Sequence, residues 1–194
     1  SQMFADCSSL KYVDVSSFKT SNVKNISKMF SNCNSLLNVD VSNFVTDNLE
    51  DISGLFEYCQ SMTEINVKNF KPSNLLDMSN AFKNCKKIES LDLRNLITDK
   101  VTNMAGLFEG CVNLEELEIN FNTENVKNMS HMFDNCNSLY QLDVSHFNTD
   151  KVTDLSYMFK DCSRLNSIDV SKFNTKEVVD MSFMFDNCNR ISSL

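Results

Sequence analysis

M-F-D-N-C-N-S-L-Y-Q-L-D-V-S-H-F-N-T-D-K-V-T-D-L-S-Y, residues 132–157, runs directly into Met158-Phe159-Lys160-Asp161-Cys162, where the same pattern begins again. Outward from this stretch, cysteines stand at positions 7, 33, 59, 85, 111, 136, 162 and 188, each 26 residues from the last apart from one step of 25. The neighbouring residues recur with them, giving a unit close to M-F-x-N-C-x-x-L-x-x-L-D-V-S-x-F-x-T-x-x-V-x-x-M-S-x. A fixed period of this length is the signature of a solenoid in which each unit forms one coil. About 7.5 units follow one another with no linker, so residues 1–194 read as a single tandem-repeat domain. The chain starts at Ser1-Gln2-Met3-Phe4 and stops at Leu194, both inside a unit, and neither end carries the polar cap of a finished solenoid. A segment of a longer array is therefore expected.

Within a unit, Leu10, Val13 and Val15, like Leu139, Leu142 and Val144, place apolar residues in a Val-Asp-Val-Ser alternation. That period of two predicts a short strand, paired in parallel with its copies in one long sheet. Val23, Ile26, Met29, Phe30 and Cys33 then fall at steps of three and four, the spacing of one face of a short helix. Thr20, Thr46, Thr98, Thr123, Thr149 and Thr175 precede this run as expected helix caps. Asn32, Asn84, Asn135, Asn187 and Gly110, which tolerate a left-handed backbone, are expected to end it.

Fourteen of the fifteen phenylalanines occupy two positions of the unit, the Phe4/Phe30/Phe56 and Phe18/Phe44/Phe70 series, with Leu96 standing once in the second. Both series, and Met29, Met132, Met158 and Met184, read as core files. The cysteines close the same buried face, so free thiols are expected, with disulfides between adjacent coils and a metal site as the lesser alternatives. The 25-residue step comes from a residue missing after the strand, at Leu117-Glu118-Ile119-Asn120-Phe121.

Exposed positions carry the functional candidates. Asp14, Asp40, Asn66, Asp92, Glu118, Asp143 and Asp169 form an outward file at mid-strand, six of its seven residues acidic. Such a strip could bind cations or a basic partner. The favoured alternative is turn chemistry, each carboxylate accepting hydrogen bonds from the Val-Ser turn that follows it. Beside it run Ser16, Ser42, Lys68, Arg94, Asn120, Ser145 and Ser171, of which Lys68, Arg94, Asn120, Ser145 and Ser171 are candidate partner contacts; Pro72 and Leu96 mark the same middle units as irregular. His131 and His146 occupy variable outward positions with no triad around them, and no glycine-rich phosphate loop occurs, so neither a catalytic residue nor a cofactor is expected. The sequons Asn25-Ile26-Ser27 and Asn128-Met129-Ser130 fall inside the expected helices.

A net charge of −8 and a pI near 4.7 argue against nucleic acid, which is held by clustered Lys and Arg. No apolar run approaches the roughly 20 residues of a membrane span, and no signal peptide precedes the first unit. Any membrane attachment would come from an anchor outside this segment.

The runs Met132 to Leu139, Leu142 to Thr149 and Val152 to Phe159 closely resemble the BspA-like leucine-rich repeats of bacterial surface proteins, the class of roughly 25-residue units also called DUF285 or Mycoplasma lipoprotein repeats. The resemblance covers essentially the whole chain and implies an α/β solenoid, a right-handed stack of short parallel strands and short helices. It further implies a secreted or surface-anchored bacterial protein, binding a protein or glycan on a host cell or matrix, or serving as a stalk for another domain. No catalytic residue comes with it.

Overall fold

The computed structural model describes residues 1–67 and 69–193. Where the pattern of threes and fours predicts helix, the backbone instead folds as consecutive tight turns. Met29 N–H donates to the Ile26 carbonyl at 3.1 Å, Ser31 to Lys28 at 3.2 Å and Cys33 to Phe30 at 3.1 Å, all reaching back three residues. The N–H groups between them leave the coil altogether: Ile26 donates to Asp51, Lys28 to Ser53, Phe30 to Leu55 and Asn32 to Glu57, at 2.8 to 3.0 Å. An α-helix would return every N–H to its own chain four residues back. Here alternate donors serve the next coil, which a helix cannot do.

Lys28 and Asn32 make the alternation possible, with φ of 53° and 61°. Each is the third residue of its four-residue turn, where a type II turn demands a positive φ. The short helices of the expected α/β class are thus replaced, and among the described residues there is no helix. A helix of one or two turns is marginal in any case. The Asn series is left-handed as expected, yet what it closes is a turn.

The threonines are not helix caps either. Thr20 Oγ1 accepts from Val45 N–H at 2.7 Å and donates to the Val45 carbonyl at 3.1 Å; Thr123 grips Asn148, and Thr149 grips Asn174, in the same way. Each hydroxyl clamps one residue of the following coil from both sides. Pro72, standing where a threonine would, offers no such hydroxyl.

On the opposite side of the coil, the strands are three residues long: β1 (Asn38–Asp40), β2 (Glu64–Asn66), β3 (Ser90–Asp92) and β4 (Glu116–Glu118). β1 pairs with β2 and β3 with β4, both in parallel and 26 residues apart, so Val39 lies beside Ile65 and Leu91 beside Leu117. This makes two pairs among the described residues, where one long sheet is expected. A turn on either side, Leu36 N–H to Cys33 and Phe44 N–H to Val41 for example, leaves little extended chain to pair. The longest ladder lies elsewhere, as single bridges linking Asn25, Asp51, Asp77, Asn103, Asn128, Asp154 and Asp180 in succession.

Between these walls the core is a set of vertical files. The rings of Phe4, Phe30, Phe56, Phe82, Phe108, Phe133, Phe159 and Phe185 stack face to face with centroids 5.4 to 5.9 Å apart. The second file is buried as well, through Phe44, Phe70, Leu96, Phe121 and Phe147. Each fully buried phenylalanine contributes about 1.5 to 3 kcal/mol, and each stacked pair about 0.5 to 1.5 kcal/mol more.

The missing residue leaves these files undisturbed. The turn after the strand, closed by Phe44 N–H to Val41 and by Leu96 N–H to Leu93, is absent from residues 119–123, so the chain cuts that corner. The Phe108 to Phe133 spacing stays at 5.6 Å across it. Replacing Phe108 by alanine should cost about 3 to 5 kcal/mol in urea unfolding. Phe183→Ala, on an exposed ring that stacks on Tyr157, should cost no more than about 1.5 kcal/mol.

Candidate functional site

The outward file of carboxylates sits at the bend that follows each strand, and its geometry is that of an Asx turn. Ser16 N–H donates to Asp14 Oδ1 at 2.9 Å, Ser42 to Asp40 at 2.8 Å, Arg94 to Asp92 at 3.1 Å, Ser145 to Asp143 at 2.9 Å and Ser171 to Asp169 at 2.9 Å. Hydrogen bonds from the side chain and then the N–H of that residue hold Asp14, Asp40, Asp92, Asp143 and Asp169 below the usual carboxylate value. Each acid thereby serves its own turn, and Asp92 gives its second oxygen to Arg94. Glu118, in the shortened unit, is exposed beside them.

The candidate contacts divide by surroundings. Arg94 is drawn into the acidic file: its Nε and Nη2 donate to Asp92 at 3.0 and 2.7 Å, and its Nη1 lies 4.0 Å from Glu118. Asn120 and Ser171 are exposed, while Ser145 is half-buried with its hydroxyl donating to Asp143 at 2.7 Å. Lys68 lies outside the described residues. Arg164 reaches across two coils to Glu115 at 3.2 Å. Between coils on the strand side open three shallow depressions of 410, 390 and 340 Å³. Glu64 and Asp92 border the first, Glu115, Glu116, Glu118 and Asp143 the second, Asp143 and Asp169 the third.

A second Asx file escaped the sequence reading. Asn25, Asp51, Asp77, Asn103, Asn128, Asp154 and Asp180 accept through Oδ1 from the N–H two residues on, at 2.8 to 3.1 Å. Some also join across coils, Asn25 Nδ2 donating to Asp51 Oδ2 at 2.8 Å. The sequence signal for it is a second Asx-x-Ser triplet, present at six of these seven positions, in addition to the Asp-Val-Ser that predicts a turn. The sequon residues Asn25 and Asn128 belong to this bridging file.

The cysteines are free thiols: Cys33 through Cys162 are buried, Cys188 is partly buried and Cys7 is exposed. Each Sγ–H points backward along the stack, Cys33 donating to the Phe4 carbonyl at 3.1 Å, Cys59 to Phe30 at 3.1 Å and Cys85 to Phe56 at 3.2 Å, and so on to Cys188. The same carbonyl takes the N–H that closes its own turn, as Phe30 does from Cys33. Both lone pairs of a buried oxygen are thereby used. Burial pushes the Cys111 thiol up to about 12 and the Cys33 and Cys188 thiols to about 11, and raises the others in the buried file further.

Fold and site together define a tandem-repeat solenoid of stacked turns whose recurring polar residues serve the stack and whose outward residues vary. The chain belongs to the family described as Mycoplasma protein of unknown function, DUF285, matched over residues 1–117 and again over 76–193. No curated protein matches it. Among solved structures it is similar to a leucine-rich cell surface protein of Faecalibacterium prausnitzii, at 18% identity and a TM-score of 0.46, over 98% of this chain and 67% of that one. It is also similar to a leucine-rich repeat protein of Bacteroides ovatus, at 20% identity and a TM-score of 0.41, over 85% of this chain and 50% of that one. The chain thus spans half to two thirds of the length of these proteins.

Alkylation of the native protein should label Cys7 first and Cys188 next, with Cys33 to Cys162 reacting only on unfolding, as mass spectrometry would resolve. The raised thiols also fix a sign. Unfolded cysteines ionise near 9.0 and folded Cys111 near 12, so stability is whole below pH 9.0 and drains as pH rises through that interval. Denaturation midpoints across it should fall in the parent and fall less in Cys111→Ala.

Proposed function

We propose that this chain is a non-catalytic recognition segment of a bacterial surface protein, meeting a protein or glycan on a host cell or matrix through the outward face of its strands. The observation that carries the reading is a division of labour within the unit. Phenylalanine, cysteine, threonine and both Asx positions are engaged by the neighbouring coil or by their own turn. The outward strand positions change from coil to coil, from Asn38 through Glu64, Ser90 and Glu116 to Gln141. Variation on a fixed lattice is how solenoids present a binding surface.

Electrostatics sharpen the partner's chemistry. Glu64, Asp92, Glu115, Glu116, Glu118, Asp143 and Asp169 line or border the depressions, while Arg94 and Arg164 are paired with acids on the same face. A face of this sign favours the basic surface of a protein over an acidic glycan, and would speed encounter more than it tightens the complex. Surface location belongs to the same proposal.

A stalk is the second reading, supported by the uninterrupted ladder of ring stacking from Phe4 to Phe185, which fixes each coil on the next. Binding of the isolated segment to matrix proteins and to cells separates the two. The recognition reading expects saturable binding that weakens with salt and drops about tenfold in Glu116→Lys with Glu118→Lys, a change of about 1.4 kcal/mol. Failure of the isolated segment to bind, while a longer form of the protein binds, leaves the stalk.

A further inference from the structure

The turn position with positive φ is held in successive coils by Lys28, Gly54, Asn80, Gly106, His131, Tyr157 and Phe183. Around His131 this file creates a setting found at no other coil among the described residues. Tyr157 stacks on one face of the imidazole, centroids 4.5 Å apart and planes 6° from parallel, which fixes the ring. The preceding coil has Gly106, with no side chain to cover the ring from that side. Glu109 fills part of the space: its Oε2 would lie 3.2 Å from a Cβ built on Gly106. Asp134, only 6% exposed, sets Oδ2 2.8 Å from His131 Nδ1 while its Oδ1 accepts from Asn135 Nδ2 at 2.8 Å. One ligand atom from each of Glu109, His131 and Asp134 falls within 4.8 Å of the other two.

We propose that Glu109, His131 and Asp134 form a divalent transition-metal site, of the imidazole and carboxylate type that takes Zn²⁺. Zinc binds imidazole nitrogen and carboxylate oxygen at about 2.0 to 2.2 Å, which spaces tetrahedral ligands about 3.4 Å apart. The His131 to Asp134 gap of 2.8 Å opens by about 0.6 Å to reach that spacing, and the wider gaps close by rotation of Glu109 and His131, whose side chains are 24% and 38% exposed. Two existing contacts rearrange when the ion enters. Binding through Nδ1 leaves the imidazole proton on Nε2, and Lys83, now 2.8 Å from Glu109, gives way to solvent. Water completes the shell on the open side. The corresponding positions one coil away hold Lys83 and Gly106, or Lys160 and Tyr157, so this is the single such site among the described residues.

Zn²⁺ titrated into the Cys7→Ser protein, which lacks the exposed thiol, should bind at one equivalent by calorimetry and shift the His131 ring signals in NMR, leaving those of His146 in place. His131→Gly and His131→Asn place in this turn the residues that Gly106 and Asn80 already supply at its equivalents, so the fold should persist, as thermal unfolding would verify. Both, and Glu109→Gln, should weaken binding about tenfold or more. Undiminished binding in His131→Gly, a shift at His146 in place of His131, or no heat and no shift at millimolar zinc would each overturn the site.

Discussion

Everything in this molecule depends on a backbone hydrogen bond between residues 25 apart. The N–H groups of Ile26, Lys28, Phe30 and Asn32 all donate to the next coil, and the turns exist to aim them there. Once that register is set, residues one period apart must be neighbours, and the side chains have no freedom to be otherwise. Rings stack because their Cα atoms do, thiols meet the carbonyls of the coil before, and threonines clamp the coil after. The packing energy is large, yet it ratifies an arrangement that the backbone ladder imposes.

This explains how one residue can be lost without harm. The deletion lies in the corner after the strand at residues 119–123, outside the backbone ladder, so the coil shortens while Phe121 and Thr123 keep their places in their files. A loss between Ile26 and Cys33 would reverse which N–H groups face the neighbour and so break every bond of that ladder. Tolerance therefore follows the hydrogen-bond pattern, not mere exposure.

The period, the aromatic files, the free thiols and the Asp-Val-Ser turns were legible in the sequence because each depends on residue type at fixed spacing. The helix was misread for a physical reason. Steps of three and four between Ile26, Met29, Phe30 and Cys33 fit one face of a helix, and they fit equally the inward residues of paired four-residue turns. What distinguishes the two is the left-handed residue inside the run, and at that position the sequence shows Lys28, His131, Tyr157 and Phe183 against only three Asn or Gly, at Gly54, Asn80 and Gly106. Side chains that rarely adopt such a backbone give no warning that they have done so. The Glu109, His131 and Asp134 cluster was hidden differently, since Glu109 meets His131 and Asp134 only after stacking places consecutive coils face to face.

The direction of the inter-coil bonds carries a mechanical consequence. They run along the stacking axis, so tension applied between the two ends loads the outermost coil first and peels it from its neighbour, a few bonds at a time, before the next is strained. Extension would advance in even increments at a nearly constant, modest force, and slackening would let each coil re-zip onto the template left behind. Such an array behaves as a reversible tether that absorbs a tug by lengthening, where a sheet pulled along its strands would resist and then fail at once.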